Sequence, residues 1–407
     1  MSNRAQNGIP LAPRCSDVAD SGTDQRPVLR RLRERALTLP AYSVGSWGSF
    51  GWGGSLSEEK SGNRRRRRRR RRRRSGSGGR PPEEPSTATE SEEVQRALAR
   101  FSAKPRPMGI PKEIDPPPRR IDLRWRVNPV SKEVQRKAGK IACIPGEFGF
   151  LPEERVQEIA SKLDHLPITI EQALSLRSAL NQEKSVYSHS SLMRRANELS
   201  RRYNAGESVI ALSKRFDAPP VNTFRAVLTG RGWTKNRIKE TLNKNPSRLN
   251  KRDREQFELA ESVDRVSSVN QTETQNAAEV FEDVLCDYFS SVGVRFRRQE
   301  DLLAEQKVSE GRAIITPDLL LLDYVRINGI PCAWIDAKHF FGADLKFPKK
   351  KTQKQINRYV AEYGQGAIVY RHGFCGGLKL KGAIQLDASP LDLQPLKDFH
   401  ENARYGS

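Results

Sequence analysis

Periodic apolar residues are missing from the first 120 positions and become regular from about residue 150. The early blocks Gly45–Leu56 and Ser75–Pro85 are Gly-, Ser-, Pro- and Arg-rich. Such a segment buries too little apolar surface to offset its ordering entropy, so 1–148 is predicted to be a long disordered N-terminal arm. From there the period is helical. Pro152-Glu153-Glu154 opens a helix with a proline and two acids, and Val156, Ile159, Ala160 and Leu163 follow at spacings of three and four. A second helix is predicted over Thr169–Asn181 and a third from Ser190, with Leu192, Ala196, Leu199 and Tyr203 as its apolar face. Arg252–Val263 continues as a polar helical connector.

The last part of the chain changes character. One helix, Gln275–Ser291, precedes the β-rich runs Val294–Arg297, Ile314–Tyr324 and Pro331–Ala337. A polar helix around Thr352–Glu362, a strand Ala367–Arg371 and a last run Ala383–Leu386 follow. Asn328-Gly329 between two strand runs is a hairpin signal, because both residues tolerate positive φ. The order αβββαβ predicts an α/β or α+β module over 272–407 with a small central sheet. An all-helical region over 149–271 precedes it.

Charge refines this division. The chain has 407 residues and a formal charge of +23. Residues 1–150 hold 33 basic against 16 acidic side chains, 151–271 hold 21 against 15, and 272–407 hold 18 of each. Much of the excess is the run Arg64–Arg74, which reads as a nuclear-localisation or nucleic-acid-attracting tail and implies a nuclear protein, with the cytoplasm as a second location. No apolar stretch reaches the ~18 residues of a membrane span, so no membrane partner is expected. Five dispersed cysteines without a CxxC pair argue against a disulfide framework or a Cys-rich zinc site.

Within the helical region, Ser208–Phe216, the turn Asp217–Pro220 and Val221–Leu228 have the layout of a helix-turn-helix. Its second helix would present Asn222 and Arg225 to bases and phosphates. The equally plain reading is a three-helix bundle with solvated basic faces.

Candidate chemistry lies in the last module. Asp318 ends Thr316-Pro317-Asp318 and runs into the apolar strand Leu319–Leu322. Asp336 and Lys338 end another strand, and strand alternation places them on one face. Glu282 lies on the preceding helix beside Phe281 and Leu285. Converging carboxylates make an oxygen-rich site for Mg²⁺ or Mn²⁺, and a lysine two residues beyond can act on water or on the charged transition state. Surface acids at strand ends with one salt-bridged lysine would look alike in sequence. Gln355 and Tyr359, four apart on the next helix, share a face, and Lys346, Lys349, Lys350 and Lys351 precede them.

Pro317-Asp318 followed by Asp336-Ala337-Lys338 is the PD…(D/E)xK arrangement of metal-dependent nucleases. Together with Trp334–Gly342 and Tyr363–Phe374, these residues resemble the TPD-motif family, which includes the codanin-interacting nuclease. The resemblance runs from about 150 to 390 and implies a restriction-endonuclease-like core with nuclease activity. It implies Asp318, Asp336 and Glu282 as metal ligands and Lys338 and Gln355 as further catalytic positions, with Tyr359 holding the scissile region as in related nucleases. Lys350 and Lys351 could meet phosphates near the site, and a solvated charged loop would read the same. DNA is expected ahead of RNA, with a codanin-like protein as a further partner. Where that superfamily often has Glu, this chain has Asp336. The rival reading is a catalytically inactive nucleic-acid-binding or chromatin-assembly adaptor.

Overall fold

A computed structural model describes residue 95 and residues 98–103, 105–264 and 268–405. The Arg64–Arg74 run and most of the expected arm lie outside them. The described residues belong to one compact unit of mixed α/β architecture.

The chain enters through the short strand β1 (Arg120–Leu123) and the helix α1 (Lys132–Ala142). Residues 105–148 are therefore ordered, which corrects the expectation of an arm reaching to 148. A four-residue strand behind a Pro-rich stretch carries too little periodicity to stand out. It is held instead by long-range contacts: Trp125 is buried, and its Nε1–H donates to the Asp387 carbonyl at 2.9 Å.

Helices α2 (Glu153–Leu163) and α3 (Ile170–Arg194) follow. A capping box between Thr169 and Gln172 starts α3, and it runs well past the expected end at Asn181. The helical region continues with α4 (Ala196–Asn204), α5 (Val209–Phe216), α6 (Pro220–Gly230), α7 (Lys235–Lys244) and α8 (Lys251–Asp264). Leu199, Tyr203, Leu212, Phe224, Val227 and Phe257 form its core. The buried Asp253 accepts from Tyr203 Oη at 2.9 Å and Arg231 Nη1 at 2.7 Å, so its charge is paired.

The sheet-forming module contains α9 (Ser268–Ser291), β2 (Phe296–Arg298), α10 (Gln299–Glu310), β3 (Leu319–Ile327), β4 (Ile330–Lys338), α11 (Lys346–Tyr363), β5 (Gly366–Tyr370), β6 (Ala383–Asp387) and α12 (Gln394–Tyr405). The expected order holds, with α10 as an insertion between the first two strands. Six strands make one mixed sheet ordered β1-β3-β4-β5-β6, with β2 also on β3. β2 pairs with Leu319–Leu321 and β1 with Tyr324–Ile327, so both share one edge of β3. The β3–β4 pair is antiparallel, whereas β4–β5 and β5–β6 are parallel. One sheet face packs on Phe281, Leu285 and Phe289 of α9, and the other on Ile356, Tyr359 and Tyr363 of α11. Helices sandwich the sheet, as near-continuous apolar strands require. A further cluster ties the helical region to the module through Ala138, Leu176, Phe341 and Cys375.

Trp125 fills the main core edge-to-face with Tyr288, at 5.1 Å between ring centroids. Trp125→Ala is expected to lower unfolding stability by about 3–5 kcal/mol, through the cavity and the orphaned Asp387 carbonyl. Urea denaturation checks this, and a loss below about 1 kcal/mol would show that the segment is not part of the core.

Candidate active site

The hairpin turn builds the site. Asn328 and Gly329 both have positive φ (52° and 81°), as a two-residue type I′ turn requires, and Ile327 pairs with Ile330 around it. A register shift between Leu320 and Val325 adjusts the ladder, and Leu319 comes opposite Ile335. Asp318, one residue before Leu319, thus lies across from Asp336, one residue after Ile335.

Asp318 is held on three sides. Its Oδ2 accepts from the Ala337 N–H at 2.6 Å and its Oδ1 from Gln299 Nε2 at 3.1 Å. Its own carbonyl accepts from the Gln299 N–H at 3.0 Å. Asp336 is 1 % exposed. Its Oδ1 accepts from Gln355 Nε2 at 3.0 Å, while Oδ2 has no hydrogen bond of good geometry and meets the Lys338 ammonium as an ion pair. Tyr359 is buried against Trp334; its hydroxyl accepts from Gln355 Nε2 at 3.0 Å and donates to the Thr316 carbonyl at 3.2 Å.

The electrostatics follow from crowding. Burial, then the charges of Asp336 and Glu282, push the Asp318 carboxyl well above its ordinary range. The half-buried Glu282 is pushed up to about 7, chiefly by burial, with Asp336 raising it further and Lys338 opposing. Burial would lower Lys338, but Asp336, Asp318 and Glu282 outweigh it, and the ammonium is held more firmly than usual. Three acids and one lysine thus act on one another in a dry site, and the crowding draws protons onto Asp318 and Glu282.

The structure brings Glu282, Asp318, Asp336, Lys338, Gln355 and Tyr359 together. Tyr359 lies beneath the carboxylates as a brace, with its hydroxyl engaged on both sides. Lys346, Lys349, Lys350 and Lys351 form the first turns of α11 rather than a preceding loop. Lys350 and Lys351 are both exposed, and Lys351, one turn before Gln355, has its pKa lowered by desolvation and then by the charge of Lys338. Asn222 and Arg225 lie apart, on α6 in the helical region. Asn222 Nδ2 donates to Ser185 Oγ at 2.9 Å, and the helix beneath it is buried through Thr223, Phe224, Ala226, Val227 and Leu228. Gln299 was not visible in sequence as a site residue. Its only signal is a position at the start of α10, and pairing of β2 with β3 is what delivers it to Asp318. His339 and His372 stack edge-to-face at 5.6 Å, and burial depresses them to about 3 and about 4.

Among the described residues, no group of three or more His, Cys, Asp or Glu side chains is arranged as a metal cage. The donors fit a hard cation in a sparser way. Mg²⁺ takes one or two carboxylates and keeps several waters, and Asp336 Oδ2 is a buried oxygen whose partner is the Lys338 ammonium. Asp318 and Asp336 are the two side chains that could hold such an ion, with Glu282 as a further charge nearby.

A carboxyl whose pKa folding raises is protonated more readily in the folded chain. The Glu282 contribution to stability is therefore complete below the ordinary Glu value and is lost as pH rises through about 7. In EDTA, Glu282→Gln is expected to gain on wild type by about 1–3 kcal/mol as pH is raised from about 5 to about 8. Parallel melting-temperature profiles for the two proteins would remove Glu282 from the coupled site.

The model of the family described as "Protein of unknown function TPD sequence-motif" matches residues 249–388. That span contains all six clustered residues. An uncharacterized protein of Acanthamoeba polyphaga mimivirus is 30% identical over 120 residues, a stretch covering 28% of this chain and 42% of the viral protein. The match thus spans less than half the length of that relative. No solved structure matches the chain. Among the described residues, no helix is long and apolar enough to cross a membrane.

Proposed function

We propose that the chain is a metal-dependent nuclease that hydrolyses phosphodiester bonds, with DNA ahead of RNA as substrate. In this reading α9, β2–β5 and α11 form a restriction-endonuclease-like core. The observation that carries it is the buried confrontation of Asp318 with Asp336 across the hairpin, with Lys338 two residues on. Bound Mg²⁺ or Mn²⁺ would supply Lewis-acid polarisation of the phosphoryl oxygen and a more acidic water. Asp318 and Asp336 would hold it, with Glu282 assisting.

The remaining roles belong to the chain itself. Lys338 keeps its proton in this acidic surrounding, so it orients the attacking water and offsets charge on phosphorus rather than accepting a proton. Gln355 fixes the Asp336 carboxylate through Oδ1 and leaves Oδ2 to the Lys338 ammonium. Gln299 and the Ala337 N–H fix Asp318 in the same way. Lys351, exposed one turn before Gln355 on α11 and close enough to Lys338 to feel its charge, is placed to meet a phosphate.

A second reading is a catalytically inactive nucleic-acid-binding or chromatin-assembly adaptor. What favours it is the Lys338 ammonium seated on the Asp336 oxygen that a metal needs.

Purified protein incubated with structured DNA and RNA, with and without Mg²⁺ or Mn²⁺, decides between them. Cleavage is expected only with metal. Asp336→Asn and Lys338→Ala should each reduce it by about 10²–10⁴-fold, and Gln355→Ala by about tenfold. Cleavage unchanged in both of the first two variants would exclude this site. Salt-dependent binding with no cleavage of any substrate would favour the adaptor.

A further inference from the structure

Two helix pairs in the helical region have the short connection of a helix-turn-helix, and burial separates their roles. α5 and α6 are joined through Asp217, which adopts the left-handed conformation (φ 47°). α6 and α7 are joined by the four residues Arg231–Thr234, where Gly232 takes φ 83° at no steric cost. α6 is the central helix of the bundle and packs against the others along most of its length. A helix enclosed in this way cannot enter a groove.

α7 is built differently. It buries only Ile238, Thr241 and Leu242, and leaves Lys235, Asn236, Arg237, Lys239 and Lys244 on its exposed surface. The Thr234 hydroxyl caps its start by accepting from the Arg237 N–H at 3.3 Å. The Arg237 guanidinium lies 3.9 Å over the ring of Trp233, which packs on the bundle core, so one cation is already ordered. The helix carries four cations and one acid, Glu240, which is itself paired with Arg248 at 3.6 Å. Its first turn holds Lys235 and Arg237 and no acid, although the helix dipole disfavours cations there. That local conflict is relieved when a polyanion lies along the helix.

We propose that α7, rather than α6, is the helix that docks in the major groove of double-stranded DNA. Asn236 and Arg237 at its N-terminal end have the side chains that read adenine and guanine edges, and Lys239 and Lys244 meet flanking phosphates. The DNA major groove admits a helix of this diameter, whereas the deep, narrow major groove of duplex RNA does not. The assignment rests on the proposed function only in taking nucleic acid as the partner.

The test uses the full chain in EDTA, so that binding is read without cleavage. Fluorescence anisotropy measures affinity for a labelled DNA duplex, for single-stranded DNA of the same length and for an RNA duplex. Arg237→Ala with Lys239→Ala is expected to weaken DNA-duplex binding about tenfold or more and to reduce the slope of log K against log salt by about 2. Lys137→Ala with Lys162→Ala removes the same charge from α1 and α2 and should leave both quantities unchanged, and circular dichroism verifies the fold of each variant. Unchanged duplex affinity in the α7 variant, equal losses in the two variants, or an equal loss on single strands or duplex RNA would each overturn the assignment. Asp336→Asn, run alongside and then assayed with Mg²⁺, separates the questions: full binding without an effect on cleavage removes the nuclease site and leaves α7 standing.

Discussion

The bond from the Ala337 N–H to Asp318 Oδ2, at 2.6 Å, closes the β3–β4 ladder at the end remote from its turn. The ladder's register brings two carboxylates face to face in a nearly dry place, which costs free energy unless something opposes their repulsion. Lys338 opposes it by charge, and Gln299 and Gln355 oppose it by hydrogen bonds. Burial first, and the neighbouring carboxylates after it, still raise the proton affinities of Asp318 and Glu282. A slip of one residue in the hairpin would send Asp336 and Lys338 to the opposite face. Turn chemistry at Asn328-Gly329 and charge at the far end of the strands therefore form one constraint.

The helical region bears on that constraint directly. The loop from β4 to α11 and the first turn of α11 have three backbone N–H groups satisfied by helix side chains. Phe341 donates to Ser175 Oγ at 2.8 Å, Asp344 to Gln135 Oε1 at 2.9 Å and Phe347 to Glu183 Oε2 at 2.8 Å. Ser175 and Glu183 belong to α3 and Gln135 to α1. These contacts set where α11 begins, and Gln355 on α11 orients Asp336. A change in how α3 sits would move the acceptor geometry at Asp336 through a few packed residues, without touching the strands.

Local chemistry made the hairpin, the acids and the α11 stripe legible in sequence. Asn-Gly names its own turn, apolar runs ending in Asp name their strands, and Gln355 and Tyr359 share a face by helical spacing. What escaped depends on long-range pairing. β1 is a four-residue strand that exists because Tyr324–Ile327 of β3 offers it a free edge. Gln299 sits in the first turn of a polar helix and acquires its role only when β2 docks. Asn222 and Arg225 are polar types at helical spacing, and only tertiary packing shows that the helix carrying them is largely enclosed. Tyr359 has the residue type of a substrate contact, yet the Thr316 carbonyl and Gln355 take up its hydroxyl.

Charge placement gains meaning from this geometry. Residues 272–407 hold as many acids as bases, and three of those acids are gathered at the proposed active site. A polyanion meets net repulsion there unless cations lie along its path. The first turns of α11 supply such cations beside the site, and α7 supplies them on a separate exposed surface. Both helices start with cations and without an acid, against the preference of their own dipoles. By contrast α1, α2, α3, α4, α8 and α10 each start with at least one acid, and α5, α6, α9 and α12 have neither an acid nor a cation among their first three residues. The exceptions set α7 and α11 apart as surfaces whose charge opposes local helix stability, and that is the pattern expected where a phosphate backbone, rather than the fold, selects the residues.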